Sequence, residues 1–486
     1  MHKAFGAGLL AATLALVGCN NDDNRDSEED DLRAEEPRIE AAAGGAGEAA
    51  LAADLQFAMD SVGYSEKEFV LSGTAVSYLP KGGQSLGTDG QWDVEENDSA
   101  AYVTRAVVYQ PLDAEAFNGT VIVEWMNVTS GSDSSPVWTY THNELIREGY
   151  ALISLSAQAA GVASTKTMDP ERYANLLHPG DNYSYDIFSQ AGQAVRDHAD
   201  VLLNGLQPKR VLAAGESQSA YRLVSYANAV HPLVTVYDGY LLQSRLANAA
   251  PLATADDVSG STEIRSDLGV PVLMFQSETD VNEATRQADT STYRLWEVAG
   301  TAHFDVYGGG IGLIDTGDGE GALLALEALL DPPSKVFGFI NCDKPINAGP
   351  MSFVLSAAVH ALNEWITTGT PPASAETLQA IDFTPYSPGY ARDAQGNALG
   401  GIRTPFVDVP LAMLGGTGNS GGEGFCRLFG TTEPLSADEL DTLYPTQQAF
   451  VTAWTAATEA AVERGYIRPV DGQALIDAAG RVRVLP

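Results

Sequence analysis

The run Arg210-Val-Leu-Ala-Ala-Gly215-Glu-Ser217-Gln-Ser219-Ala-Tyr-Arg222 constrains this chain more than any other. A short apolar strand breaks into a sharp turn that carries a serine, and a helical pattern follows at once. Such a turn presses strand and helix together, so the residues two before and two after the serine must be small. Gly215 and Ser219 meet that demand, with serine standing where glycine is usual. The turn mounts Ser217 above the end of a sheet and places the backbone amide of Gln218 at the start of a helix, where it has no intrahelical acceptor. In a chain with this much glycine and serine the short pattern arises by chance on the order of once, so the rest of the sequence must decide.

Further along, Val270-Pro-Val-Leu-Met-Phe-Gln-Ser277-Glu278-Thr-Asp280 reads as a buried strand ending in two carboxylates, and Leu295-Trp-Glu-Val-Ala-Gly300-Thr-Ala-His303 as a strand ending in a histidine. The order serine, acid, histidine is that of the α/β-hydrolases and differs from other serine hydrolase folds. A serine hydroxyl is a poor nucleophile until an imidazole takes its proton, and a carboxylate must fix the imidazole tautomer. Of the seven histidines, only His303 and His360 follow the acid, and His360 falls in a helical apolar pattern where it reads as packing. His303 is therefore the expected base. Asp280, three residues past Ser277, is favoured as the acid over Glu278, which stays open as the alternative.

Several stretches resemble one bacterial family, the alpha/beta hydrolase domain family: Thr120-Val-Ile-Val-Glu124-Trp-Met-Asn127-Val-Thr-Ser, Gly215-Glu-Ser-Gln-Ser-Ala, Ser277-Glu-Thr-Asp-Val, Arg286-Gln-Ala-Asp289 and Trp296-Glu-Val-Ala-Gly-Thr-Ala-His303. The similarity runs on through Asn347-Ala-Gly-Pro350, residues 393–405 and Leu443-Tyr-Pro-Thr446. The resemblance implies an α/β-hydrolase fold and hydrolysis of a small carboxylic ester, without naming the substrate. Ser217 would then attack the ester carbonyl, with His303 as base, and water would release the acyl group. The oxyanion donors expected are the Gln218 amide and a group near Asn127. Gln158 is read as a structural amide. An acyltransferase or lyase built on the same three groups is the alternative, and an inactive surface binding protein a more distant one.

Alternating apolar strands and helical segments over about residues 105–340 predict a mostly parallel sheet with helices on both faces. Strands are expected at 101–109, 121–124, 151–156, 211–214, 233–237, 270–276 and 293–298, with a helix around 140–148. The polar stretch 242–267 is a candidate cap over the pocket. From about residue 331 the chain reads as an extension packed on the core, with a helix over 446–464. The glycine-rich run 414–424 lacks a phosphate-binding setting and reads as a flexible loop. Residues 315–320 read as a turn, since they miss the alternation of a calcium loop. No zinc motif and no cofactor fingerprint is present, so neither metal nor cofactor is expected.

Lys3 and the apolar residues 4–17 have the build of a signal peptide, and Leu16-Val-Gly-Cys19 resembles a bacterial lipobox. Residues 1–18 would be removed and Cys19 lipidated, palmitate-like chains holding the protein to a membrane of the cell envelope, facing the periplasm or the exterior. The acidic, glycine- and alanine-rich stretch 19–50 is expected to be a solvated tether before a hydrolase domain over 51–486. A net charge of −37 excludes nucleic acid as a partner, because phosphates require a basic surface. With Cys19 taken by lipid, Cys342 and Cys426 are left to form a disulfide in an oxidising compartment.

Overall fold

The computed structural model describes residues 34–253, 258 and 260–485. The signal peptide, Cys19 and the acidic run after it lie outside these residues. The chain forms a nine-stranded sheet in the order β1-β2-β3-β5-β4-β6-β7-β8-β9. Strands β1 (Arg38–Ala41), β2 (Tyr64–Pro80) and β3 (Val94–Pro111) make an antiparallel edge. Strands β4 (Thr120–Trp125), β5 (Ala151–Leu155), β6 (Arg210–Glu216), β7 (Gly239–Gln243), β8 (Val272–Ser277) and β9 (Tyr293–Val298) are parallel to one another. The α/β reading of the sequence holds.

The parallel strands are buried on both faces, and alternate residues serve opposite cores, as the period of two requires. In β6, Leu212 and Ala214 join the core on one side while Val211 and Ala213 join the other. Helices α1 (Pro136–Arg147), α4 (Glu320–Leu330) and α5 (Met351–Thr368) contribute to the first core; α2 (Ser184–Asp197) and α3 (Gln218–Ser225) cover the second. Helix α1 starts earlier than its apolar pattern suggested. Pro136 fits the first turn, where no amide is needed, and the buried Glu124 carboxylate accepts from the amides of Val137 (2.8 Å) and Trp138 (3.3 Å). Helices α6 (Gln447–Glu463), capped by Thr446, and α7 (Pro469–Arg481) close the first face. The segments after residue 331 share one core with the sheet.

Four expectations need correction. The strand expected at 233–237 is instead β7: Val236 and Tyr237 tuck into the second core, and Asp238 accepts from the Val211 amide at 2.7 Å just before β7 begins. Two adjacent apolar runs carried the same signal, and only pairing with β6 and β8 separates them. The solvated tether expected over 19–50 does not describe residues 34–50. Arg38–Ala41 pairs with β2, and the Ala50 carbonyl accepts from the buried Arg105 guanidinium. Backbone bonds hold this segment, so its small residues carried no pattern. None of the described residues of the stretch 242–267 lines the pocket. Its described residues lie against the loop after β2, with Glu263 donating to the Thr88 carbonyl at 2.8 Å and Arg245 donating to the Thr262 carbonyl at 2.8 Å. The glycine run 414–424 is tied rather than loose. Its first part lies in a strand, Ala412–Gly415, paired with Thr431–Pro434. Cys342 and Cys426 are joined in a disulfide.

Candidate active site

The register of the sheet brings the ends of β6, β8 and β9 to one edge, where open α/β sheets hold their ligands. Ser217 sits in the turn after β6 with φ 57° and ψ −115°, a conformation costly for a residue with a Cβ. Its amide donates to the Gln243 carbonyl of β7 at 2.9 Å, fixing the strained turn to the sheet. A Cβ on Gly215 would lie 3.1 Å from the Ser219 Cβ and 3.0 Å from the Leu223 side chain, so both small residues are needed for α3 to dock. Gln218 is the first residue of α3, so its amide has no acceptor within the helix.

The loop after β8 holds Asp280 through a dense set of bonds. Its Oδ2 accepts from Ser277 Oγ at 2.5 Å, and its carbonyl accepts from Gln276 Nε2 at 2.8 Å and Asn282 Nδ2 at 2.9 Å. Asp280 Oδ1 then lies 2.6 Å from His303 Nδ1. The His303 amide donates to Thr279 Oγ1 at 2.9 Å, so the acid loop positions both ends of the histidine. Glu278 points elsewhere. Its carboxylate is buried and accepts from the amides of Gly300 (2.6 Å) and Gly416 (3.1 Å), stapling the histidine loop to the C-terminal segment. Of the two carboxylates, the structure brings Asp280 to the imidazole and not Glu278.

Asn127 is not free to bind an oxyanion. Its amide donates to the Ser134 carbonyl at 2.9 Å, and its side-chain Nδ2 donates to the Glu216 carbonyl (3.0 Å) and to Glu216 Oε2 (2.9 Å). The group it holds is one that sequence reasoning passed over. Glu216 Oε1 lies 3.1 Å from His303 Nε2, the nitrogen opposite Asp280, so the imidazole stands between two carboxylates. Burial by itself lowers the His303 pKa, but Asp280 and Glu216 outweigh it and hold the group up at about 9. Burial pushes Glu216 up to about 7, with Asp280 adding to the rise and His303 and Asn127 opposing it. The signal was present: a carboxylate in a strand buried on both faces requires a partner. Gln158 accepts from Trp125 Nε1 at 3.1 Å, in keeping with a structural amide, and His360 lies on α5, 3.5 Å from Glu144.

Ser217, His303 and Glu216 open into one cavity of about 300 Å³. Its remaining walls come from Ala52 and Ala53, from the loop between β4 and α1 and the start of α1, from Phe304 and Gly308, and from two C-terminal segments rich in phenylalanine.

A strained serine at the head of a helix, with a histidine in the same cavity and an aspartate bonded to it from behind, is the arrangement of the α/β class of hydrolases. The chain belongs to the alpha/beta hydrolase domain family, whose model matches residues 34–477. No curated protein matches the sequence. Solved structures similar to it include an alpha-beta serine hydrolase homologue from Coxiella burnetii, at 14% identity over 42% of this chain and 85% of that one, TM-score 0.27. Methylesterase BT1017 is 13% identical over 52% of this chain and 48% of its own, TM-score 0.28. The rice cell wall degrading esterase LipA from Xanthomonas oryzae is 12% identical over 40% and 49%, TM-score 0.22.

Proposed function

We propose that the protein is a serine esterase that cleaves carboxylic esters through an acyl-enzyme on Ser217. The observation that carries this reading is the strained Ser217 turn in one cavity with His303, whose Nδ1 lies 2.6 Å from Asp280. Ser217 Oγ attacks the ester carbonyl carbon while His303 Nε2 takes its proton, and collapse of the tetrahedral adduct expels the alcohol, protonated by the same nitrogen. Water then attacks the acyl carbon, again losing its proton to His303, and the acid leaves with Ser217 restored. Asp280 stabilises the imidazolium at each stage, and the Gln218 amide is the donor assigned to the oxyanion.

In the resting arrangement the Glu216 carboxylate lies 3.1 Å from the same Nε2. Ser217→Ala is expected to abolish turnover of an activated ester by several orders of magnitude while leaving the circular dichroism spectrum unchanged; wild-type rates in that variant would end the esterase reading. Anchoring through a lipid on Cys19 belongs to the same proposal. It is supported by the signal-peptide pattern before that residue. Cys19→Ala should move the protein from the membrane pellet to the soluble fraction, and retention in the pellet would refute the anchor.

A further inference from the structure

The cavity around Ser217 is lopsided in chemistry. One wall is built from two segments distant in sequence: Phe337, Phe339 and Ile340 from a short hairpin, and Phe425, Leu428 and Phe429 from the turn of helix Gly422–Leu428. The Cys342–Cys426 disulfide ties them together, and a backbone bridge between Cys342 and Gly421 runs beside it. A Cβ on Gly422 would come within 2.6 Å of Cys426 Sγ and 2.8 Å of the Ile340 side chain, so glycine there lets the segments close on each other. Phe337 takes a left-handed conformation, φ 52°, which a bulky residue rarely adopts without support from its surroundings.

The rings form a continuous path. Phe304, next to His303 in the chain, lies 5.0 Å from Phe429 and 5.8 Å from Phe337 between ring centroids, and Phe337 lies 6.3 Å from Phe339. Phe339 is 73% exposed, so an apolar path leads from solvent to the residue beside the imidazole. An aromatic left so exposed at the mouth of a cavity is more than scattered surface, because it continues a wall already inside it.

Size and charge narrow the occupant. About 300 Å³ stands at the bottom of the range for small-molecule sites, roughly 300–1,000 Å³, which suits a compact group and not a long acyl chain. The lining contains no lysine or arginine. His303 is already held by two carboxylates, and Glu216 would repel a further negative charge.

We propose that the site takes an uncharged ester in which one of the two joined groups is a compact apolar one, a single aromatic ring or an aliphatic group of that size, seated against the disulfide-tied phenylalanine wall. This rests on the esterase reading of the same cavity. The test is kcat/KM by pH-stat on ethyl acetate, ethyl phenylacetate, benzyl acetate, ethyl butanoate, monoethyl succinate and ethyl hexadecanoate, for the wild type, Phe339→Ala and Phe425→Ala. The better of ethyl phenylacetate and benzyl acetate should exceed ethyl acetate by about 10-fold or more, a discrimination apolar pockets ordinarily reach. Monoethyl succinate should fall well below its neutral counterpart ethyl butanoate, and ethyl hexadecanoate should gain nothing over ethyl acetate.

Each phenylalanine variant should cut the aromatic-to-acetate ratio by about threefold or more, through KM, as a lost apolar contact does. Turnover that is flat across the panel, or a ratio unmoved in both variants, would overturn the substrate assignment and leave the esterase standing. No turnover of any ester, together with no covalent adduct from a fluorophosphonate at Ser217, would overturn both.

Discussion

The floor and the roof of the cavity are built on different principles. On the floor, Ser217, Asp280 and His303 follow the ends of β6, β8 and β9, and the parallel register sets their spacing. Ser217 is placed by its strained turn and a backbone bond to β7, and Asp280 and His303 by the side-chain bonds of the acid loop. The roof does not stand on the nine-stranded sheet. Its two phenylalanine-rich segments are held by a disulfide across a sequence separation of 84 and by glycines that permit close approach, while Glu278 ties the histidine loop to Gly416. The proposed chemistry thus stands on a sheet edge, and the proposed selection on a wall tied to that edge at few points, among them the Phe304 amide donating to the Leu428 carbonyl at 3.1 Å.

That division can be broken by variants that act on the wrong quantity. The largest effect is expected on the floor. Asp280→Asn presents an NH2 to His303 and favours the wrong tautomer, so kcat should fall by about 10³ to 10⁴ with KM little changed. A mild loss would mean that another group orients the imidazole. Glu278→Gln comes next, at the seam between floor and roof. A glutamine offers one oxygen to two buried amides, and leaving one unpaired should cost about 1–3 kcal/mol of stability, read in a denaturant titration, with a smaller fall in kcat than Asp280→Asn gives. If Glu278→Gln abolished activity at full stability, the roles of the two carboxylates would be reversed.

The smallest effect concerns pH. His303 must be neutral to accept the serine proton, so kcat/KM should rise with pH as the imidazole deprotonates. Glu216 and Asp280 both hold that pKa up. Glu216→Gln removes one of them, so the acid limb should move to lower pH, gaining up to about 10-fold in rate below the midpoint for each unit moved. An acid limb that stays in place would show that Glu216 does not govern the base.

The floor was legible in the sequence because a strand, a sharp turn and a helix leave a local signature, and because the order of serine, acid and histidine follows from the order of strands. The choice between Asp280 and Glu278 was not closed by pattern. Both lie in one loop, and only the loop's own hydrogen bonds turn one carboxylate to the imidazole and the other to Gly300 and Gly416. Asn127 lies at the expected edge of the sheet, but its side chain is spent on Glu216, whose need for a partner the buried strand implied without saying which group would meet it. The roof was hidden because its residues fall at 52–53, 337–340 and 425–429 with no period linking them. The cysteine pair was the one hint. The polar stretch 242–267 looked more like a cap than these did, since length and polarity do not say against which part of the sheet a loop will lie.

The central claim, that Ser217 is the nucleophile of this site, is tested most directly by trapping the covalent intermediate. The full-length protein would be treated with a fluorophosphonate, digested, and the adduct located by mass spectrometry while residual esterase activity is followed in parallel. One adduct per chain on the peptide containing Ser217, formed in step with loss of activity and missing in Ser217→Ala, is the predicted result. Loss of activity with the adduct on another residue, or an unlabelled protein that still hydrolyses esters, would contradict it.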